Sequence, residues 1–168
     1  MPVQIRPPRP GDGEGMARVW LSAGAYYADL EPALFQVPSA EGLAESFEAD
    51  IAATGEDGDT LRLVADSDGQ VAGWLSAHLE HPVASLAHQL VRELGWTRLM
   101  VDALVVDQAT WRQGIGTVLL TAAESWGRDR GARMARLDTY VHSPVSVPFY
   151  ERHMEYQRRS IHFAKDLS

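Results

Sequence analysis

The stretch from Leu104 to Leu120 carries residue types suited to holding a phosphate. It reads LVVDQATWRQGIGTVLL, in which an apolar, β-branched run gives way to a polar loop and then to Gly114 and Gly116. A glycine has no Cβ, so the backbone at these positions can come close to a ligand. A helix beginning after such a turn presents unpaired N–H groups at the positive end of its dipole, which favours phosphate or pyrophosphate. A plain strand-to-helix turn without a ligand is the alternative interpretation.

The residues after the glycines predict this helix. Apolar side chains recur there at amphipathic spacing, at Ile115, Val118, Leu119, Ala122, Ala123 and Trp126. Gly131 follows them as a stop signal. Two common nucleotide sites do not fit the turn. A P-loop needs a Lys directly after the second glycine, and a dinucleotide fingerprint needs a small residue where Leu119 stands.

This turn and a later segment together resemble the GNAT superfamily of acyl-CoA-dependent N-acyltransferases. The main motif of that family is Gln/Arg-x-x-Gly-x-Gly/Ala after a strand, and residues 111–116 read WRQGIG. Its later motif is Asn-x-x-Ala-x-x-Phe-Tyr on a helix, and residues 143–150 read SPVSVPFY. The chain departs from the pattern at Trp111, at Ser143, and at Glu155-Tyr156, which stands one residue later than the expected Gly-aromatic pair.

The resemblance implies a site for acetyl-CoA. The strand end would offer main-chain N–H and C=O groups to the pantetheine arm, and the N–H of Val106 would also stabilise the oxyanion. The glycine turn would hold the pyrophosphate, to which Arg112 could add a charge-assisted contact. Ser143 stands where the family's Asn reaches the pantetheine. The implied cofactor-binding residues are Leu104, Val105, Val106, Arg112, Gln113, Gly114, Ile115, Gly116, Thr117 and Ser143.

The resemblance also implies a general acid at Tyr150, because a phenol is protonated at neutral pH and can donate to a leaving thiolate. The alternative is that Tyr150 is a core aromatic. Asp102 is a candidate base, since a carboxylate inside an apolar strand is costly unless it is paired or wet. A structural ion pair would explain Asp102 equally well, and Glu80 is a comparable candidate.

Residues 26–38, YYADLEPALFQVP, are aromatic, acidic and interrupted by two prolines, which predicts a shaped loop. The resembling family commonly lines its acceptor site with this region. Tyr26, Tyr27, Glu31 and Phe35 are therefore candidate substrate-binding residues, although the aromatic side chains could equally fold into the core.

Composition narrows the class of protein. With 168 residues, 45% hydrophobic and 23% charged, we expect one soluble domain spanning 1–168. The net charge of −8 disfavours a nucleic-acid partner and mildly favours a cationic amine as ligand.

The chain has no cysteine, which excludes a disulfide and a Cys nucleophile. His78, His81 and His88 lack the spacing of a good metal site, so we expect no metal. No run of residues approaches the length of about 20 apolar residues that a membrane-spanning helix needs, so we expect no membrane contact and a cytoplasmic location.

The first half of the chain predicts a strand, two helices and a hairpin. The strand spans 3–6, Asp12 is the candidate cap of the first helix, and Ser39 is that of the second helix, which Gly55 ends. The apolar faces of these helices are Met16, Val19, Trp20 and Ala23, and then Leu43, Phe47 and Ile51. Residues 61–65 and 71–79 flank Asp68-Gly69, a strong hairpin signal.

The second half predicts the remaining elements: a short helix at 85–95, strands at 97–106 and 136–141, a helix at 144–153, and a last strand at 158–163. Parallel pairing of the strands that flank the glycine-turn helix requires such a crossover. The resemblance implies a mixed α/β fold whose central, mostly antiparallel sheet is splayed at its middle strands and carries helices on both faces.

The sequence therefore predicts an acetyl-CoA-dependent N-acetyltransferase in which a small-molecule or peptide amine attacks the thioester directly. The alternative is a catalytically silent acyl-CoA-binding sensor or interaction module. Relatives in the resembling family often form dimers, so a homodimer is compatible with the sequence.

Overall fold

The computed structural model describes residues 3–53 and 58–168. The chain divides into two compact units, residues 1–138 and residues 139–168. The strands of the first unit are β1 (Gln4–Arg6), β2 (Thr60–Ser67), β3 (Gln70–Glu80), β4 (Arg98–Val106) and β5 (Met134–Arg136). Its helices are α1 (Gly13–Leu30), α2 (Leu43–Ala52) and α3 (Ile115–Asp129). None of the described helices is long and apolar enough to cross a membrane.

The five strands form one sheet in the order β1-β2-β3-β4-β5. The first four pair antiparallel, and β4 pairs parallel with β5 across the α3 crossover, as predicted. The predicted hairpin is confirmed: Ser67 pairs with Gln70, and both Asp68 and Gly69 have positive φ angles, of 54° and 84°. Such a two-residue turn matches the right-handed twist of its strands.

One face of the sheet packs against α1 and α2. Met16 and Val19 of α1 form a buried cluster with Trp74 and Val105, and Phe47 of α2 packs against this cluster. The Trp74 indole N–H donates to the Met16 carbonyl over 3.2 Å, which satisfies the buried donor.

The opposite face of the sheet packs against α3. Gly73 allows the close approach, because a Cβ there would lie 2.8 Å from the Val105 carbonyl and 3.2 Å from Ile115. Helices therefore cover both faces of a mixed α/β sheet, and the predicted fold class is confirmed.

A bulge in β4 sets which residues face each helical layer. Ser76 pairs with Ala103 and Ala77 with Val101, so Asp102 between them is the extra residue. Before the bulge, Leu99 lies 3.2 Å from the position of a Cβ at Gly127 in α3. After the bulge, Val105 packs in the cluster against α1. Leu99 and Val105 are an even number of residues apart and would share a face in a regular strand. The bulge thus reverses the alternation of the central strand.

Several predicted boundaries in the first unit were wrong. The first helix continues through Tyr26 and Tyr27 to Leu30, because Pro32 disfavours helix only from the residue before it. The second helix begins at Leu43 after Gly42, whose φ is 72°, and Ser39 accepts from the Glu41 N–H instead of capping it. Gly55, the predicted end of that helix, lies outside the described residues.

The predicted helix at 85–95 is two short 3₁₀ turns, Leu86–His88 and Arg92–Gly95. Gln89 between them has extended backbone, and Leu90 is 99% exposed, so the spacing of the leucines does not mark a buried face. The loop is closed instead by the Val83 N–H, which donates to the Leu94 carbonyl over 2.9 Å.

The second unit, residues 139–168, holds a short helix, α4 (Ser146–Pro148), followed by a π-helical turn (Phe149–His153). The predicted helix at 144–153 was therefore too regular, because the two prolines in it lack an N–H and Pro148 is tolerated only in a first turn. Within the described residues no strand forms at 137–141 or at 158–163, and Phe163 is 86% exposed.

Arg6 holds two carboxylates at the start of α1. Its guanidinium donates to Asp12 over 2.6 and 2.9 Å and to Asp66 over 2.9 Å. The Arg6 hydrogen bond lowers the pKa of Asp12 below its ordinary value, and the same contact lowers the pKa of Asp66. Asp12 thus stands at the predicted N-cap position without capping the helix. Glu48 of α2 accepts from the Gly13 N–H over 2.6 Å instead.

We expect Asp12→Asn to lower the unfolding free energy by about 2 kcal/mol at pH 7, because it removes a charge-assisted hydrogen bond. A carboxylate whose pKa is lowered on folding stabilises above the ordinary value near 3.9 and loses that contribution as the pH falls through the folded value. The difference from wild type should therefore narrow at pH 3, as measured by denaturant unfolding. Asp68→Asn, at an exposed turn position, is the control. An equal difference at both pH values would contradict this account.

Candidate functional site

The far end of β4 has an open edge. β5 pairs only with Arg98, Leu99 and Met100, so in the described part of the first unit no strand pairs with residues 101–106 on that side. On the other side, β3 pairs with β4 as far as Val106. The Asp107 N–H donates to the Ala72 carbonyl of β3, so the alternate residues Asp107 and Val105 direct their main-chain groups towards β3. The main-chain groups of Leu104 and Val106 point to the open edge, where an extended ligand can reach them.

The turn after β4 ends at the N-terminus of α3. A 3₁₀ turn (Gln108–Thr110) begins it, and Gly114 precedes the helix with φ of 81°. The first hydrogen bond inside α3 runs from the Val118 N–H to the Gly114 carbonyl over 3.0 Å. The N–H groups of Ile115, Gly116 and Thr117 therefore lie outside the helical ladder, at the positive end of a 15-residue helix.

The side chains around this helix start suit an anion. Arg112 and Gln113 are exposed, and Arg112 has a positive φ of 64°. A guanidinium beside open N–H groups is a common arrangement at phosphate sites. The predicted cofactor residues from 112 to 117 are thus brought together, directly beyond the open edge of β4.

Trp111 joins the turn to the strand end. Its indole N–H donates to the Val106 carbonyl over 2.9 Å, and its ring makes an edge contact with Tyr26 at 4.9 Å between centroids. Val106 therefore has its carbonyl occupied, and only its N–H remains for the role that the resemblance implied. The sequence marked Trp111 as a departure from a motif but did not indicate this contact.

The predicted acceptor residues cluster at the C-terminal end of α1. Tyr26 contacts Tyr27 at 5.3 Å between ring centroids, and Tyr27 contacts Phe35 at 5.0 Å. Burial raises the pKa of Tyr26 above its ordinary value. Glu31 ends the helix, where its N–H donates to the Tyr27 carbonyl over 2.9 Å. All four side chains are half-buried, so they form a wall that is packed on one side and open on the other.

Contacts from α1 fix this wall beside the glycine turn. Arg18 forms an ion pair with Asp107, and Gln108 donates from its side chain to the Ser22 carbonyl over 2.6 Å. Asp107 also accepts from the Ala109 N–H over 3.1 Å, which shapes the 3₁₀ turn. The aromatic wall, the strand end and the start of α3 are therefore one connected region.

The two candidate bases have different surroundings. Glu80 lies 2.9 Å from Arg98, whose side chain is only 3% exposed. Arg98 Nε has no hydrogen-bond partner among the described residues. The carboxylate of Glu80 therefore offsets much of the desolvation cost of the buried guanidinium charge. Asp102 is exposed on the bulge, and its Oδ2 lies 3.0 Å from Nδ1 of His78.

His78 is the residue that sequence reasoning missed at this place. The sequence places it near His81 and His88, and the three together lack the spacing of a good metal site. Among the residues that the structure describes, no three metal-binding side chains come together. His81 pairs with Asp59 over 2.8 Å, and His88 is exposed in a 3₁₀ turn. The period-2 spacing of His78 and Glu80 on one strand was the available signal.

The second unit contains the two remaining predicted residues. Ser143 is buried, and its hydroxyl accepts from the Ser146 N–H over 3.0 Å, so it orders the start of α4. Tyr150 lies in the π-helical turn, with Tyr156 at 6.0 Å between ring centroids. The Tyr156 N–H donates to the Tyr150 carbonyl over 2.9 Å.

Comparison with solved structures finds the same fold elsewhere. A mutant of a protein from Bacillus halodurans has a TM-score of 0.80 at 20% identity, covering 98% of this chain and 99% of its own. Glucosamine-6-phosphate N-acetyltransferase from Arabidopsis thaliana has a TM-score of 0.65 at 18% identity, over 100% of both chains. An aminoglycoside acetyltransferase from an uncultured soil metagenomic sample has a TM-score of 0.65 at 19% identity, also over 100% of both chains.

A comparison with curated proteins finds no match by sequence. The profile of the Acetyltransferase (GNAT) family matches residues 25–156, a span that runs from the aromatic wall of α1 to Tyr156. That span contains the open edge of β4, the glycine turn and the motif at 143–150. The chain belongs to the GNAT acetyltransferase family.

Proposed function

We propose that this protein transfers the acetyl group of acetyl-CoA to a primary amine. One observation carries the proposal: the open edge of β4 is followed directly by the N-terminus of α3, whose first N–H groups lie outside the helical hydrogen bonds. A pantetheine arm is long and rich in amides, and it ends in a pyrophosphate. An unpaired strand edge suits the amides, and a helix N-terminus suits the pyrophosphate.

In this proposal, residues 112–117 bind the pyrophosphate, and the main chain of Val106, the nearest part of the open edge, binds the pantetheine. The N–H of Leu104, further along that edge, stabilises the oxyanion that develops on the thioester carbonyl, in place of the Val106 N–H that the resemblance implied. The Val106 carbonyl also accepts from the Trp111 indole. Trp111 thus replaces a motif side chain with a contact that orders the strand end.

The reaction proceeds by direct attack of a neutral amine on the thioester. The chain has no cysteine to form a thioester intermediate of its own. Tyr150, by its place in the motif at 143–150, donates a proton to the leaving thiolate of CoA. We further propose that Ser143, whose hydroxyl orders the start of α4, supports the position of this tyrosine.

The acceptor is a cationic amine. Two structural neighbours act on amino sugars, according to their names: glucosamine 6-phosphate and aminoglycosides. The net charge of −8 and the exposed Asp102 favour the polycationic aminoglycoside over the phosphorylated sugar. The aromatic wall of Tyr26, Tyr27 and Phe35 supplies a flat surface against which a sugar ring or an ammonium group can pack.

We expect Gly116→Glu to abolish measurable acetyl-CoA binding. The new carboxylate would stand at the helix N-terminus, where it occupies the pyrophosphate position and repels it. Calorimetric titration with acetyl-CoA should show micromolar binding for wild type and at least about a 100-fold weaker interaction for the variant, since a charged ligand loses several kcal/mol against a like charge. Ser125→Glu adds the same charge at an exposed position of α3 and should bind normally. Equal affinity in all three proteins would contradict the pyrophosphate assignment.

We expect Tyr150→Phe to lower kcat for CoA release by about 100-fold, the usual range for removing a general acid, while acetyl-CoA affinity stays within twofold. CoA release is measured with kanamycin, glucosamine 6-phosphate and a lysine peptide as acceptors. Tyr156→Phe removes a neighbouring hydroxyl and should leave kcat nearly unchanged. A wild type that binds acetyl-CoA but never releases CoA with any amine would instead fit a sensor.

A further inference from the structure

His78 and Asp102 form a pair on the exposed part of the sheet. Nδ1 of His78 lies 3.0 Å from Oδ2 of Asp102. An ionised carboxylate only accepts hydrogen bonds, so Nδ1 carries the proton and donates it. The neutral imidazole then keeps its lone pair on Nε2. Nε2 has no partner among the described residues, and the His78 side chain is 42% exposed.

The register of β3 and β4 places this pair on one face. His78 is opposite Met100, and Asp102, two residues after Met100, lies on the same face of the sheet. As the bulge residue, Asp102 has no residue of β3 directly opposite it, and its side chain lies diagonal to His78. That face also carries Trp74, four residues before His78 on the same strand, and is the face covered by α1.

Other charged groups lie on the same face of the sheet or on the helix that packs against it. Glu80, on the same face of β3, neutralises the buried Arg98. Arg62, on the same face of β2, donates to the Asp50 carbonyl over 2.7 Å. Helix α1 packs on this face, and its ionisable residues are Glu14, Arg18, Tyr26, Tyr27 and Asp29, with Glu31 as its C-cap. Asp102 is the one carboxylate within hydrogen-bond distance of the imidazole among the described residues.

We propose that His78 is the general base of the acetyl transfer and that Asp102 is its positioning residue. The inference rests on the proposed function, because it needs an amine acceptor. An alkyl ammonium is mostly protonated at neutral pH and cannot attack until it loses a proton. Nε2 of His78 takes that proton, and the freed nitrogen lone pair forms the C–N bond at the thioester carbonyl.

The C–S bond of the tetrahedral intermediate then breaks, and the sulfur leaves with the bonding electron pair. Tyr150 gives its proton to the leaving thiolate. The nitrogen, now bonded to the acetyl carbon, loses its second proton, which restores the phenol of Tyr150. The products are the N-acetyl amide and CoA thiol, and the proton on His78 returns to solvent.

The position of His78 along the sheet fits this role. Asp102 precedes Leu104 by two residues, which is about 7 Å along a strand. Leu104 begins the open edge proposed for the pantetheine. The side chains of His78 and Asp102 therefore lie beside the end of the cofactor path that the acetyl group would occupy.

The test measures CoA release by wild type, His78→Ala, Asp102→Asn and His81→Ala over pH 5.5 to 9.5, with the same three acceptors. The pair of His81 and Asp59 is the matched control, because it has the same residue types, a distance of 2.8 Å and similar exposure. Acetyl-CoA affinity and Tm are measured for each protein, so that loss of folding is separated from loss of catalysis.

For His78→Ala, kcat should fall about 100-fold with unchanged acetyl-CoA affinity, and added imidazole should restore part of it. The fall in kcat/KM towards acidic pH should begin at a higher pH in this variant, because without a base only the neutral fraction of the acceptor amine reacts. Asp102→Asn should lower kcat and leave acetyl-CoA affinity unchanged, and adding it to His78→Ala should lower kcat no further, because Asp102 acts through His78. His81→Ala should keep both the rate and the profile.

A His78→Ala variant with normal kcat and an unchanged acidic limb overturns this assignment and leaves the transferase standing. A wild type that releases no CoA with any acceptor overturns both proposals. If His78→Ala has a lowered Tm, Asp102→Asn decides, since it preserves the shape of the side chain. An unchanged kcat in that variant, or a further fall in kcat when it is added to His78→Ala, overturns the role of Asp102.

Discussion

A single extra residue in the central strand controls how the site is assembled. A strand alternates its side chains between two faces, so Leu99 and Val105 would face the same layer in a regular β4. The bulge at Asp102 places Leu99 against α3 and Val105 against α1. It allows both helical layers to pack on one strand. The extra residue itself is Asp102, whose exposed carboxylate lies beside His78.

The parting of β4 and β5 has a related effect. Their pairing stops after Met100, so the end of β4 keeps main-chain groups that would otherwise lie inside a sheet. Such groups need partners. At Val106, the Trp111 indole satisfies the carbonyl over 2.9 Å. A residue that departs from the family motif therefore has a structural role, in which it ties the glycine turn to the strand and to Tyr26 of α1.

The ionic groups of the first unit separate into structural and exposed pairs. Arg6 with Asp12 and Asp66 is largely buried, and so is the guanidinium of Arg98, which Glu80 compensates. A buried charge that loses its partner is costly, so these carboxylates are held in place. The side chains of His78 and Asp102 are nearly half exposed, so water can solvate either of them without the other. This difference in burial distinguishes Asp102 from Glu80, which the sequence could not separate.

The sequence by itself determined the fold class, the hairpin at Asp68-Gly69, the parallel crossover through α3, and the residues of the glycine turn, because these follow from local periodicity, turn chemistry and motif spacing. Only the tertiary structure decided the rest. The extension of α1 to Leu30, the replacement of a helix at 85–95 by 3₁₀ turns, and the irregular segment around Tyr150 depend on prolines and on long-range contacts. The pairing of His78 with Asp102 depends on the register of β3 against β4, which has no local sequence signature.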